Sequence, residues 1–265
     1  ALKVSFDTFL YKEKYVDRQG RFLTHGRENG ILKKIERGGK CMEKLSALLR
    51  VRPGVTALVG SGGKTTAMYQ LASELAESGT VVCATTTHIF PPSHMPVWTE
   101  DDPEALAAAL KAQRCLCAGA PGPEGKLSAP LLPIAALAGI ADYVLVEADG
   151  ARGLPLKAHL PHEPVIPPQA GDVILVAGAS GLGRPAREAV HRPERFCELA
   201  GLPLDGAVTA RALAAVIRAE ALAGKVFFNQ VEGREDLDNG WTLAGLLDVP
   251  FYAGALQRGR WICLS

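Results

Sequence analysis

The segment Leu58-Val59-Gly60-Ser61-Gly62-Gly63-Lys64-Thr65-Thr66 separates a short apolar run from a stretch with helical periodicity. Its Gly-Lys-Thr tail has the chemistry of a P-loop, in which backbone N–H groups and a helix N-terminus converge on phosphate. We expect Lys64 to face solvent and neutralise the β- and γ-phosphates, and the Thr65 hydroxyl to bind Mg²⁺. The predicted nucleotide-binding residues of this segment are Gly60, Ser61, Gly62, Gly63, Lys64, Thr65 and Thr66. The strict P-loop pattern requires glycine at position 58, so a glycine-rich turn with a surface lysine is the alternative.

The sequence on either side of this segment alternates short apolar runs with helical stretches. This alternation predicts an α/β fold, a three-layer P-loop NTPase-like domain with a mostly parallel sheet. The predicted strands cover residues 55–59, 81–84, 114–118, 143–147, 173–177 and 226–229. The predicted helices cover residues 64–78, 103–112, 210–223 and 243–247, and residues 91–99 are predicted to be irregular. Asp102 is expected to cap the second of these helices.

Two acidic residues follow the predicted strand 143–147. A P-loop needs an acid at the tip of a neighbouring strand to hold Mg²⁺ or its water. Glu147 is the natural candidate, and Asp149 is close enough to share metal binding and water positioning at the carboxyl edge of the sheet. We therefore predict catalytic and metal-binding roles for both residues. The alternative for Asp149 is that Asp149-Gly150 simply makes a turn.

A proline-rich loop follows these acids, from residue 152 to residue 168. Prolines with a fixed φ, mixed with cations, suggest an ordered anion-binding lid. Lys157 is the predicted catalytic cation of this lid, because a flexible ammonium suits a phosphate or another anionic group that moves during reaction. The alternative is a solvated, charged loop.

Hydroxyls follow the predicted second strand in the run Thr85-Thr86-Thr87-His88. Thr86 is a candidate to meet the γ-phosphate or a substrate, and the alternative is a threonine-rich strand end. Residues 227–232 lie where guanine-specific P-loop proteins have Asn-Lys-x-Asp, but Gln230 and Glu232 depart from that motif. ATP is slightly favoured over GTP, and the base preference stays open.

The composition excludes several classes of protein. The chain has 265 residues, of which 48% are hydrophobic and 22% charged, as in globular proteins. The longest apolar run, residues 131–141, is interrupted by Pro133 and is too short for a membrane span. We see no signal peptide, so the expected location is the cytoplasm. The six cysteines are scattered, which predicts reduced and mostly buried thiols.

Charge divides the chain into two predicted parts. Residues 1–41 carry ten Lys and Arg against five Asp and Glu, whereas the rest has a net charge of −4. A mildly acidic body argues against a nucleic-acid partner. Met42 is a natural start, and the codons of the residues before it could spell a ribosome-binding site. We therefore expect residues 1–41 to be an N-terminal extension, a start-site artefact or a passenger, and residues 42–265 to be the nucleotide-binding α/β domain. A basic arm that contacts a partner is the alternative.

The motifs together resemble the YqeC family, described as accessory proteins of selenium-dependent molybdenum hydroxylases. The resemblance extends from about residue 42 to residue 253. It rests on 60–66, on Thr85-Thr86-Thr87-His88, on Glu147-Ala148-Asp149-Gly150-Ala151-Arg152 with Pro155-Leu156-Lys157, on His162-Glu163-Pro164-Val165-Ile166-Pro167, and on His191-Arg192-Pro193-Glu194. It implies a nucleotide-binding role in hydroxylase maturation, with a molybdenum hydroxylase or a cofactor-maturation protein as partner.

Three functions remain open at this point. The first is an NTPase or phosphotransferase that acts on a small molecule, and the second is a nucleotide-gated chaperone for cofactor insertion. The third is an ATP-dependent ligase, because the core of residues 60–66 also resembles the loops of Mur-type ligases. All three need a nucleotide and Mg²⁺, and the residues alone do not choose between them.

Overall fold

The computed structural model describes residues 43–265, and these residues form an α/β domain. The strands are β1 (Gly54–Gly60), β2 (Val81–Thr85), β3 (Val97–Trp98), β4 (Cys115–Ala118), β5 (Ala120–Pro121), β6 (Leu127–Ser128), β7 (Tyr143–Glu147), β8 (Leu156–Lys157), β9 (Ala170–Gly178), β10 (Val190–His191), β11 (Lys225–Asn229), β12 (Phe251–Ala255) and β13 (Arg260–Cys263). The helices are α1 (Leu45–Leu48), α2 (Lys64–Leu75), α3 (Pro103–Gln113), α4 (Ile134–Ile140), α5 (Ala186–Ala189), α6 (Pro193–Ala200), α7 (Ala210–Glu220) and α8 (Arg234–Leu246).

A nine-stranded sheet organises this part of the chain, in the order β13-β12-β11-β9-β1-β7-β2-β4-β3. Its neighbouring strands are parallel except for β13, which runs antiparallel to β12. The central strand β1 pairs with β7 on one side and with β9 on the other, and Leu58 is in register with Glu147. The glycine-rich segment after β1 and the acids at the end of β7 therefore meet at one edge of the sheet.

Apolar residues cover both faces of this sheet. In β7, Leu145 belongs to the core cluster that contains α2, whereas Val144 and Val146 belong to the cluster that contains α3 and α4. Successive residues of a strand point to opposite faces, so these two clusters are the two sides of the sheet. The arrangement confirms the predicted three-layer α/β fold with a mostly parallel, P-loop NTPase-like sheet.

Most predicted element positions agree with the structure. Asp102 caps α3 by accepting hydrogen bonds from the backbone N–H groups of Glu104 and Ala105, as its position before Pro103 predicts. The helix predicted for residues 64–78 begins at Lys64 but ends at Leu75, and turns occupy the remaining residues.

Two local predictions are wrong, and two strands were missed. The helix predicted for residues 243–247 is the end of α8, which begins at Arg234. The polar first turns of α8 lack the apolar periodicity by which a helix is predicted from sequence. The Asp236 side chain accepts a hydrogen bond from the backbone N–H of Gly233 at the start of this helix. The segment 91–99 contains the edge strand β3, because pairing with β4 orders it. The strands β12 and β13 were not predicted.

Other features of residues 43–265 bear on the sequence-based expectations. No helix among them is long and apolar enough to cross a membrane. Five cysteines in this range are unpaired thiols, of which Cys83, Cys117 and Cys197 are buried, and the range contains no cysteine, histidine or acidic cluster typical of a metal site. The predicted extension, residues 1–41, lies outside the described residues, so its dispensability stays a prediction.

Candidate functional site

The glycine-rich loop, residues 60–66, connects β1 to α2 in a conformation that excludes side chains at two positions. Gly60 and Gly62 have φ angles of +92° and +80°. A Cβ atom at Gly60 would lie 2.3 Å from the carbonyl oxygen of Val176, and one at Gly62 would lie 2.5 Å from the nitrogen of Gly178. Both positions therefore need glycine for two reasons. The neighbouring backbone leaves no room for a Cβ atom, and residues with a side chain rarely adopt these φ angles.

Hydrogen bonds to the surrounding strands hold this loop in place. The Ser61 N–H donates to the carbonyl of Val176 at 2.8 Å, and the Ser61 hydroxyl donates to the carbonyl of Leu154. From β11, the Asn229 side-chain amide donates to the carbonyl of Gly62 at 2.8 Å. The loop is therefore fixed before any ligand arrives, which lowers the entropy cost of binding.

Lys64 begins α2 and lies inside the protein, at 5% exposure. Its Nζ donates to the carbonyl of Gly60 at 2.7 Å, and it lies 3.1 Å from Asp149 Oδ1 and 3.7 Å from Glu147 Oε1. The expectation that Lys64 faces solvent is wrong, and so is the alternative of a surface lysine on a turn. The buried ammonium lies between the two acids that the sequence singled out.

Glu147 lies at the carboxyl end of β7 and is buried. Its Oε2 accepts a hydrogen bond from the Thr65 hydroxyl at 2.6 Å. Burial raises the pKa of this carboxyl, although Lys64 and Thr65 act in the opposite direction. The side chains of Thr65 and Glu147 are thus neighbours, as their shared predicted role at a metal requires.

Asp149 is fully buried, and its side chain does more than shape a turn. Its Oδ2 accepts from the Gly60 N–H at 2.9 Å and lies 2.7 Å from His159 Nε2. Burial acts to raise the pKa of Asp149, but the His159 hydrogen bond and the charges of Lys64 and Lys157 outweigh it, so the pKa is lowered. Its Oδ1 accepts no hydrogen bond within residues 43–265 and has only the Lys64 ion pair. Asp149 is therefore a buried carboxylate with one oxygen still able to bind a donor or a cation.

His159 and Glu220 extend this network. The sequence placed His159 among the residues of the proline-rich loop without a specific role, and it did not single out Glu220. The ring nitrogen Nδ1 of His159 lies 2.7 Å from Glu220 Oε2, and the backbone N–H of His159 donates to Glu220 Oε1 at 2.6 Å. Burial by itself lowers the pKa of His159, but the hydrogen bonds to Asp149 and Glu220 outweigh it and raise the pKa. The proximity of His159 to Lys157 in sequence was the one available sign, and nothing local marks Glu220 at the end of α7.

Lys157 lies in β8 within the predicted ordered lid, and its side chain is buried. Its Nζ donates to the carbonyl of Gly150 at 2.6 Å and to Glu163 Oε2 at 2.6 Å, and it lies 3.4 Å from Asp149 Oδ2. The expectation of a flexible cation is therefore wrong, because three acceptors inside the protein surround its ammonium. Its catalytic role stays a prediction.

Thr86 directly follows β2 and forms a hydrogen bond with the proline-rich loop. Its N–H donates to the carbonyl of Glu147 at 3.1 Å, and its hydroxyl donates to the carbonyl of Val165 at 3.0 Å. The structure thus places Thr86 beside the acids but engages its hydroxyl with the backbone. Its predicted contact with a γ-phosphate stays a prediction.

The network around His159 gives a pH-dependent contribution to stability. A raised folded-state pKa means that this contribution is complete below the usual value of 6.5 and is lost as pH rises through the folded-state pKa. The lowered pKa of Asp149 makes stability depend on pH only under more acidic conditions, near and below its usual value of 3.8. We therefore expect His159→Gln to lower the free energy of unfolding more at about pH 6 than at about pH 9.

Urea unfolding in the presence of a chelator measures this difference. His162→Gln is the matched control, because His162 is exposed, and we expect it to change stability little at either pH. An equal effect of His159→Gln at both pH values would show that His159 is not charged within the network.

The sheet, the glycine-rich loop and the buried acids together define an α/β domain of P-loop NTPase-like fold. The family model described as YqeC protein matches residues 56–194, which include the loop, both acids, His159 and Lys157. A relative from Escherichia coli (strain K12), named uncharacterized protein YqeC, is 40% identical over 176 residues, which cover 63% of this chain and 68% of that relative. The chain belongs to the YqeC family, as the motifs had indicated.

Proposed function

We propose that the protein binds a Mg-nucleotide at residues 60–66 and hydrolyses or transfers its γ-phosphate. One observation carries this proposal. The backbone N–H groups of residues 62–66 form no hydrogen bond within residues 43–265, and they are consecutive. Unpaired N–H groups on a fixed loop at a helix N-terminus are suited to an anion with several oxygens, such as a polyphosphate.

The charges around the loop support the same ligand. Lys64 lies at the start of α2, where its ammonium can exchange the carbonyl of Gly60 for a phosphate oxygen. Asp149 accepts the N–H of Gly60 and so fixes the first residue of the loop. We infer that Lys64 pairs with the phosphates while Asp149 orients both the loop and the lysine.

The donors beside the loop fit Mg²⁺. The hydroxyl of Thr65 and the carboxylates of Glu147 and Asp149 offer the oxygen ligands that Mg²⁺ prefers. Among the described residues, Oδ1 of Asp149 has no hydrogen-bond donor. These three residues would hold the ion directly or through water. When bound, the ion supplies neutralisation of negative charge on the phosphate oxygens.

Glu147 is suited to accept a proton, because burial raises its pKa and so favours the protonated carboxyl. In the proposed reaction the oxygen of water or of an acceptor bonds to the γ-phosphorus. The bond from that phosphorus to the bridging oxygen breaks, and the nucleoside diphosphate leaves. The proton of the attacking group passes to Glu147.

We further propose that this reaction serves the maturation of selenium-dependent molybdenum hydroxylases. Membership of the YqeC family supports this part of the proposal, and the site itself supports only the nucleotide chemistry. Turnover that depends on a small molecule would favour the enzyme. Slow turnover stimulated by an apo-hydroxylase would favour the nucleotide-gated chaperone, and turnover that joins two substrates would favour the ligase.

Calorimetry on the full chain tests the nucleotide site. We expect one molecule of a non-hydrolysable ATP or GTP analogue to bind per chain in the presence of Mg²⁺, and a chelator to weaken that binding. Comparison of the two analogues also gives the base preference. Absence of heat with both analogues, at protein concentrations that detect micromolar affinity, would contradict the proposal.

A further inference from the structure

A cluster of cations lies close to Asp149 and Glu163, around the short strands β8 and β10. The short strands β8 and β10 pair in parallel and place His191 in register with Lys157. Arg192 follows β10, and Arg152 precedes β8. Arg152, Lys157, His191 and Arg192 are called the cationic cluster below.

His191 is a buried member of this cluster. It is 8% exposed, and its imidazole forms no hydrogen bond within residues 43–265. Burial lowers the pKa of His191, and the nearby charges of Lys157, Arg192 and Arg152 lower it further against the opposing effect of Glu163. The imidazole is therefore a neutral group held among cations, where an anion would be stabilised.

The negative charge beside this cluster is already engaged. Glu163 accepts from Lys157 at 2.6 Å with one oxygen and from Arg192 Nε at 3.1 Å with the other. This one carboxylate thus pairs with two of the cations, Lys157 and Arg192. Since Lys157 is surrounded by acceptors, the excess positive charge lies on the two arginines.

Both arginines keep donors for a ligand. Within residues 43–265, Arg192 uses only its Nε in a hydrogen bond, which leaves the two terminal amino groups without a protein acceptor. Arg152 is exposed and forms no hydrogen bond or ion pair within the same range. Paired guanidinium donors match the oxygens of phosphate and carboxylate groups.

Helix α6 adds its positive end to the same place. It begins at Pro193, directly after Arg192, and no side chain from the described part of the chain caps it. An uncapped N-terminus of an eight-residue helix carries partial positive charge, although Glu194 in the first turn reduces it. The helix therefore reinforces the arginines without forming a site alone.

We propose that Arg152, His191 and Arg192 form an anion subsite that binds a phosphate or carboxylate group of a second substrate. Its role as an acceptor site rests on the proposed function, because Lys157 connects the subsite to Asp149 and hence to Lys64. The subsite selects small acceptors that carry an oxyanion. Lys157 positions Glu163 and Asp149 between the two binding sites, and the arginines contact the acceptor.

Nuclear magnetic resonance of the full chain labelled with ¹⁵N-histidine tests the subsite directly. The probes are inorganic phosphate and malonate, and comparison of the two distinguishes a phosphate from a carboxylate acceptor. We expect a saturable shift of the His191 ring nitrogens toward the imidazolium form, because a bound anion raises the pKa of this side chain. Arg152→Ala and Arg192→Ala should each weaken the response about tenfold or more. Arg192→Lys should weaken it less, because it keeps the charge beside Glu163.

Two control variants separate this proposal from the nucleotide site. Arg211→Ala removes an exposed arginine from α7 and should leave the His191 response unchanged. Lys64→Ala should also retain the response, even where it abolishes nucleotide binding. The remaining histidine signals report whether each variant is folded. No shift of His191 with either probe, or an equal loss in Arg211→Ala, would overturn the subsite, whereas a His191 response without any nucleotide binding would overturn the proposed function alone.

Discussion

Lys64→Ala is expected to weaken Mg-nucleotide binding by at least about a hundredfold. The lysine lies at the start of α2 between Glu147 and Asp149, and its ammonium is the charge closest to the proposed phosphate position. Its removal costs the charge-assisted hydrogen bonds to phosphate and leaves two buried carboxylates with less compensation. Calorimetry with a non-hydrolysable analogue measures the affinity.

The matched control for this variant is Lys111→Ala, which removes an exposed lysine from α3. We expect that variant to bind nucleotide like the parent chain. Because Lys64 is buried, Lys64→Ala should also lower the free energy of unfolding, by about 3 kcal/mol if the two acids stay ionised. Binding should be measured at a temperature where circular dichroism shows the variant folded. Unchanged affinity in that folded variant would contradict the role of Lys64.

Glu147→Gln is expected to lower nucleotide turnover by about a hundredfold or more while nucleotide still binds. Glutamine keeps the size of the side chain and an oxygen that can accept a hydrogen bond from the Thr65 hydroxyl. It can neither take up the proton nor neutralise the positive charge of Mg²⁺. Phosphate release at saturating nucleotide measures turnover, and calorimetry measures binding.

Glu235→Gln controls for loss of a carboxylate, since Glu235 is an exposed residue of α8. We expect it to turn over nucleotide normally. The free energy of unfolding of Glu147→Gln should equal or exceed that of the parent chain. Burial raises the pKa of Glu147, which means that the folded protein disfavours its ionised form, and glutamine is neutral. Equal turnover in Glu147→Gln and the parent chain would assign the base to another residue, and Asp149→Asn would then be the next variant to measure.

The fold was predictable where local patterns dominate. Val144, Leu145 and Val146 form an unbroken apolar run, and such a run is typical of a parallel strand covered on both faces. The loop after β1 was equally clear, because glycines before a lysine at the start of a helix have few other uses. Because β1 and β7 are adjacent parallel strands, their carboxyl ends lie side by side, and this places Glu147 and Asp149 next to the loop.

The rest of the site depends on contacts that no local pattern encodes. His159 and Glu220 are 61 residues apart in sequence, and Asn229 reaches Gly62 across 167 residues. The burial of Lys64 and Lys157 had no sequence sign, because a lysine in a loop is usually exposed. The structure buries Lys64 against Glu147 and Asp149, and it buries Lys157 against Asp149 and Glu163.

The central claim is that residues 60–66 hold the phosphates of a nucleotide. A crystal structure of the full chain with Mg²⁺ and a non-hydrolysable nucleoside triphosphate tests it most directly. We expect the phosphate oxygens to accept from the N–H groups of residues 62–66 and from Lys64, with the ion beside Thr65 and Glu147. A nucleotide bound elsewhere while this loop keeps the hydrogen bond from Lys64 to Gly60 would contradict the claim.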